Sequence, residues 1–190
     1  MSYTASLVAE MERQFGIPDE LSHTQRVDDS EFQMIRRSMK TDRTHDITLF
    51  IYNDASKRKK DSGFIFIAKH SYPAGLFRAP SGGIHRDEDF IAGAKREAFE
   101  ETGVDVELEK YLLRIKVRFY AGDDAFDWTS HVFKARYVGG EIKPHDTREI
   151  REARVVTLAE IPRFQETMRK SKVGGFHYRA FLTDEVMKRW

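Results

Sequence analysis

The chain of 190 residues contains no cysteine, which excludes disulfides, zinc-thiolate sites and thiol nucleophiles. Long hydrophobic runs are absent too, so nothing reaches the roughly 20 apolar residues of a membrane-spanning helix. The opening stretch, Met1 to Glu10, lacks the basic start and apolar centre of a secretory signal, and the expected compartment is the cytoplasm. An excess of one charge is also missing: 32 basic against 31 acidic residues leave +1, no global drive toward nucleic acid. The seven histidines are scattered without zinc-ligand spacing. Ser81 stands beside two glycines but not within Gly-x-Ser-x-Gly, and Ser81-Gly82-Gly83 lacks the lysine of a phosphate-binding loop. No internal repeat or low-complexity segment is present.

What remains is the composition of a globular protein, 40% hydrophobic and 33% charged, with one domain's length. Residues 1–40 read as a helical extension before a main domain of residues 41–190. Leu7, Val8, Met11 and Phe15 form one apolar face that ends at Gly16 and Pro18. A second helix is expected from Ser30, where Ser30 to Gln33 fits a capping box and Phe32, Ile35 and Met39 repeat at helical spacing. These are packing faces; the alternative is a lid or a dimer arm. Ile47 to Tyr52 and Phe64 to Ala68 have the β-branched and aromatic content of strands. The basic run Lys57 to Lys60 between them reads as a solvated hairpin tip, with RNA binding as the alternative. Further strands are expected over Val104 to Leu108, Leu113 to Phe119, Trp128 to Val138 and Arg154 to Val156, with turns at Gly122 and at Gly139-Gly140. Two helices close the chain: one near Pro162 with Ile161, Phe164 and Met168 on one face, and one over Phe176 to Arg189.

The chemistry concentrates in a helix predicted over Asp89 to Thr102. Asp87, Glu88 and Asp89 sit at its positive end, and Gly103 stands where helices commonly stop. At about 100° per residue, Glu97, Glu100 and Glu101 share one narrow arc, with Gly93 a turn below. Like charges at such spacing destabilise a helix by roughly 0.2–0.5 kcal/mol per pair, so a positive partner is expected. A hard divalent cation with oxygen ligands fits. The plain alternative is a solvated acidic face.

Gly82, five residues, Glu88, seven residues, then Arg96-Glu97-Ala98-x-Glu100-Glu101-x-Gly103-Val104 resembles the signature of the Nudix hydrolases at every fixed position. The resemblance implies an α/β/α sandwich with a mixed sheet. It also implies hydrolysis of a nucleoside diphosphate linked to another moiety, with Mg²⁺ or Mn²⁺. Glu97, Glu100 and Glu101 match the family's metal-binding glutamates, with backbone oxygen near Ser81 or Gly82 completing the set and Glu88 and Arg96 supporting the loop on the helix. The proton acceptor would be Glu97 or a carboxylate from the Asp146 to Glu152 loop, Glu149 or Glu152. Arg78, His85 and Arg86 would cradle the second phosphate, and Tyr120 lies near where dinucleoside-polyphosphate hydrolases of the family often carry a tyrosine. Two departures stand out: Ser81 replaces a frequent glycine, and His85-Arg86 occupies positions that are often acidic or apolar. The competing readings are a nucleotide-binding Nudix module without catalysis and an RNA-processing pyrophosphohydrolase.

Overall fold

A mixed sheet of seven strands organises the chain, in the order β1-β5-β6-β2-β3-β7 with β4 paired to β2. The computed structural model describes residues 5–39, 44–53, 63–85 and 88–190. The strands are β1 (Asp19–Arg26), β2 (His45–Asn53), β3 (Gly63–Lys69), β4 (Ser81–Gly82), β5 (Val104–Ala121), β6 (Asp124–Gly140) and β7 (Ile150–Val156). The helices are α1 (Ala5–Phe15), α2 (Asp29–Ser38), α3 (Phe90–Thr102), α4 (Ile161–Lys170) and α5 (Gly174–Met187). β1 runs parallel to β5 and β2 parallel to β6; the remaining pairs are antiparallel.

Side chains alternate across a strand, and here each face buries its own core. Ile47, Leu49, Ile51 and Ile65 meet Met11 of α1 and Phe90, Ala94 and Ala98 of α3. Phe50, Phe64 and Phe66 point the other way, into a core with Phe32 of α2, Phe164 and Met168 of α4, and Leu182 and Val186 of α5. The result is the expected α/β/α sandwich.

The first 40 residues are not purely helical. β1 pairs with β5 from Asp19↔Leu113 to Arg26↔Tyr120, although Asp-Glu-Leu-Ser-His-Thr-Gln-Arg has one apolar residue and no alternating pattern. An edge strand can be this polar because backbone ladder bonds and ion pairs hold it. Arg114 of β5 meets Glu20 and, at 2.8 Å, Glu12, while Arg189 meets Asp19 at 2.7 Å. α2 also begins earlier than expected. Its cap is Asp28, whose carboxylate accepts the Glu31 N–H at 2.8 Å while Glu31 accepts the Asp28 N–H at 3.3 Å. The box is therefore Asp28 with Glu31, two residues upstream, and Ser30 donates its hydroxyl to the capping Asp28 at 2.7 Å.

Glu31 does more than cap its own helix. Its two carboxylate oxygens accept the Gly174 and Gly175 N–H groups, each at 2.9 Å. These are the first N–H groups of α5, which has no side-chain cap of its own, so Glu31 satisfies the positive end of α5 from another helix. The approach is close enough that a Cβ on Gly174 would lie 2.1 Å from the Arg26 carbonyl oxygen. We expect Glu31→Gln to destabilise the fold by about 1.5–3 kcal/mol, the scale of a hydrogen bond to a charged group. A midpoint shift in urea unfolding at unchanged slope checks this; an unchanged midpoint would remove the capping role.

Other departures have local causes. β5 is one strand rather than two because three bulge-like register shifts, between Asp105 and Leu113, interrupt the alternation and leave Tyr111, Leu112 and Leu113 all buried. Gly139 and Gly140 end β6 instead of forming a separate turn. β7 starts at Ile150, which places Glu152 on a strand opposite Ala68. The Lys57 to Lys60 run and Arg86 lie outside the described residues.

Candidate active site

α3 is fixed at both ends by the residues expected to do so. Asp89 accepts the Ala92 N–H at 2.9 Å, and Gly103 takes a left-handed φ of 77°. Gly103 is required twice over, since a Cβ there would also meet the Lys143 carbonyl oxygen at 2.1 Å. The last carbonyls of α3 accept from the next loop: Thr102 from Lys143 N–H at 2.9 Å, and Glu100 from His145 and Asp146 N–H at 3.0 and 2.8 Å. Asp146 in turn accepts the Arg148 N–H at 3.1 Å and the Glu149 N–H at 3.4 Å, and His70 N–H donates to the Glu149 carbonyl at 3.1 Å. The helix end thus aims the loop that carries Glu149.

Ala94 and Ala98 are wholly buried, so α3 lies close on the sheet and its glutamates emerge at the edge. Glu101 turns inward, is buried, and accepts the Ser81 N–H at 2.7 Å. Glu97 lies over β4, where a Cβ on Gly82 would fall 1.8 Å from its carboxylate oxygen, and accepts the Gly83 N–H at 3.1 Å. Glu100 stays outside, half exposed. Gly93 makes room for Ile84 and Glu88, whose atoms a Cβ there would approach to 2.7 and 2.8 Å.

The positive partners that three clustered carboxylates demand come from the chain itself. Arg96 donates to Glu97 at 3.0 Å and Glu100 at 2.9 Å, and its remaining nitrogens hold Glu88, at 2.8 and 2.9 Å, and the Gly83 carbonyl at 2.9 Å. The Arg96 hydrogen bonds hold the Glu88 carboxyl below its ordinary pKa. Lys69, at the end of β3, stands 3.6 Å from Glu101 and also pairs with Glu149. Even so, burial pushes the Glu101 carboxyl up to about 7, against the opposing pull of Arg78 and Lys69. Among the described residues, no three acidic or histidine side chains are grouped as placed so as to hold a metal ion.

Beside these carboxylates opens a cavity of about 630 Å³, a size that suits a small-molecule ligand. Its floor is cationic. The buried Arg78 donates to Ser81 Oγ at 2.8 Å, to the Ala79 carbonyl at 2.6 Å and to the Tyr72 hydroxyl at 2.5 Å. Arg179, from α5, donates to the same Ser81 Oγ, to Asp46 and to Thr48, each at 3.0 Å. Asp46 is buried and also accepts from Trp128 Nε1 at 3.0 Å and Ser130 Oγ at 2.6 Å.

The NUDIX domain family matches residues 42–174, more than half of the chain. The chain belongs to the Nudix family. No curated protein matches it. Among solved structures, the MutT protein from Methanosarcina mazei Go1 superposes with a TM-score of 0.51 at 18% identity, over 77% of this chain and 94% of that one. The NUDIX domain of Shewanella oneidensis NrtR, complexed with ADP ribose, gives 0.51 at 14% identity, over 85% and 97%. Both likenesses speak for the fold. Every fixed position of the Nudix signature is present in this Nudix protein. No described helix is long and apolar enough to cross a membrane.

In this Nudix domain the expected site residues divide. Glu97, Glu101, Glu149, Arg78, Ser81 and Gly82 all line the cavity, and Glu88 and Arg96 brace the loop against the helix. Glu100 does not line it. Glu152, on β7, is exposed and lies away from it. His85 is exposed and its N–H donates to Glu88 at 3.1 Å, a loop brace and not a cavity wall. Tyr120 also misses the cavity: strand alternation gives that wall to Phe119 instead. Sequence reasoning passed over Lys69, Asp46, Trp128 and Arg179. A signal existed for Asp46, an acidic residue directly before the apolar run that opens at Ile47. None marks Arg179, whose partners lie more than 90 residues away.

Proposed function

We propose that this protein hydrolyses a phosphoanhydride bond in a nucleoside diphosphate derivative with the help of Mg²⁺ or Mn²⁺. The observation that carries the reading is one cavity with a carboxylate end, Glu97, Glu101 and Glu149, against a guanidinium floor, Arg78 and Arg179. The donor chemistry suits a hard cation: all its side-chain donors are oxygens, Glu101 is a buried carboxylate whose ionisation burial opposes, and Gly82, without a Cβ, lets the Glu97 carboxylate lie against β4. Glu97 and Glu101, with Glu100 from the outer side and backbone oxygen near Ser81 and Gly82, would hold it. Bound there, it would neutralise phosphate oxygens and acidify a water.

The chain's own residues supply the rest. Arg78 places a buried guanidinium beside the carboxylates, where it donates to Ser81, Ala79 and Tyr72, and a guanidinium fork matches phosphate oxygens. Ser81 ties both arginines to Glu101 through a single residue, which fixes the phosphate floor relative to the carboxylates. Glu149 faces the same space from a loop and accepts the proton of the attacking water.

The test is a panel of nucleoside diphosphate derivatives, including nucleotide sugars, dinucleoside polyphosphates and ADP ribose, the compound held by the NrtR domain structure. Turnover with added Mg²⁺ or Mn²⁺ and its loss on chelation are expected. Turnover that survives excess chelator would reject the metal role. The neutralisation of Glu97, Glu100 and Glu101 by Arg96 and Lys69 favours a second reading, a module that recognises a nucleotide without cleaving it. Tight binding with no hydrolysis of any panel member would select it.

A further inference from the structure

The family match ends at residue 174 and begins at 42, yet the cavity is walled on one side by Glu31, Met34 and Ile35 of α2 and by Phe176, Tyr178 and Arg179 of α5. All six lie outside the matched span. We propose that these flanking segments build the subsite for the planar ring of the substrate, a nucleobase, and so decide which nucleotide enters. The proposal deepens the phosphoanhydride reading of the same cavity and rests on it.

A chain of contacts grades the cavity from charge to aromatic surface. Glu101 accepts from the Ser81 N–H at 2.7 Å, Ser81 accepts from Arg78 at 2.8 Å, and Arg78 donates to the Tyr72 hydroxyl at 2.5 Å. The Tyr72 ring then meets Phe176 edge to face, with centroids 5.0 Å apart. The Arg78 guanidinium itself lies 5.7 Å from the Tyr72 ring centre. Phe119 and Trp128 line the same cavity. Carboxylate, guanidinium and ring follow in the order in which a nucleotide presents cation-bound phosphate, phosphate and base. On α2, Phe32 is spent on the core, whereas Met34 is 63% exposed and Ile35 half-buried, and both line the cavity. A flexible thioether at the rim of an aromatic pocket adapts to a planar ring. Glu31 holds this wall in place by tying α2 to the start of α5, and Arg179 ties α5 back to Ser81. Base stacking on aromatic side chains tolerates any base identity, so the shape of the wall, rather than stacking itself, sets the selection.

The experiment is calorimetric binding to the full chain with chelator present, which separates base recognition from turnover. Adenosine, guanosine, uridine and cytidine 5′-monophosphates are compared with ribose 5-phosphate, which has the sugar and phosphate but no ring. At least one nucleotide is expected to bind about 10-fold or more tightly than ribose 5-phosphate, the scale of one lost stacking contact. Phe176→Ala and Met34→Ala should erase most of that difference and leave ribose 5-phosphate affinity unchanged. Met34 is exposed, so its variant keeps the test alive if Phe176→Ala does not fold. Equal affinity for all five ligands, or an equal fall for nucleotides and ribose 5-phosphate in Met34→Ala, would overturn the subsite. Base-selective binding without any panel turnover would support the subsite and sink the hydrolytic reading; turnover without base selectivity would do the reverse.

Discussion

Glu101→Gln is expected to lower kcat by on the order of 10²–10³-fold, the scale of removing one preorganised charged contact from a site, and to stabilise the metal-free protein above neutral pH. The second half follows from linkage. Burial raises the Glu101 carboxyl from its ordinary 4.5 to about 7 in the folded state. Below pH 4.5 both states hold the proton and the group contributes nothing. As pH rises from 4.5 towards 7, the unfolded chain releases the proton first, and stability falls; above about 7 the loss is complete, on the order of 3 kcal/mol. Glutamine keeps the shape and can still accept the Ser81 N–H, so the variant should escape this loss, less whatever its amide N–H₂ fails to satisfy. Urea unfolding in chelator at pH 5 and pH 8 measures it: wild type and variant should converge at the lower pH and diverge at the higher, with the variant ahead. A variant that retains activity, or whose stability tracks wild type at both pH values, would return Glu101 to a passive structural role. Activity and stability pulling in opposite directions at one buried carboxylate would mark a group kept for its chemistry.

The part of the site that could be read from the sequence is the part that is local. Asp89, the three glutamates and Gly103 lie within one helix, and helical periodicity alone placed the acids on one arc. The apolar strands β2 and β3 were visible for the same reason, since their alternation or continuous burial is written over five to nine residues. What was missed depends on distant partners. β1 has no apolar pattern because its holding force is the backbone ladder to β5, about 94 residues on. Tyr120 was singled out by its place after the signature and not by strand alternation, whereas the face a β5 residue presents depends on a register that bulges at Asp105 to Leu113 shift, and the cavity wall falls to Phe119. The positive charge demanded by the glutamates was foreseen, but half of it comes from Lys69, whose role exists only once β3 is laid beside the Asp146 to Glu152 loop through its pairing with β7. Arg179 reaches Asp46 and Ser81 from the far end of the chain, and no local pattern encodes that.

Three carboxylates, Glu97, Glu149 and Glu152, compete for the role of proton acceptor in the proposed hydrolysis. Glu97 is tied down by the Gly83 N–H and Arg96 and belongs to the carboxylate set that suits a cation; a carboxylate bonded to positive charge is a weakened base. Glu152 lies on β7 outside the cavity, so Glu152→Gln is expected to be inert. Glu149 lines the cavity from a loop whose backbone is held by Asp146 and His70, while its side chain is exposed and free to swing once Lys69 releases it. A phosphate entering the cavity offers the Lys69 ammonium another anion, which would free the Glu149 carboxylate at the moment a base is needed. Glu149→Gln should therefore lower kcat by about 10²–10⁴-fold, the usual contribution of general acid–base catalysis, with little change in the Mg²⁺ concentration that gives half-maximal rate. Glu97→Gln should raise that concentration. The opposite pattern would transfer the base to Glu97, with Glu149 left as the anchor that keeps Lys69 from closing on Glu101 alone.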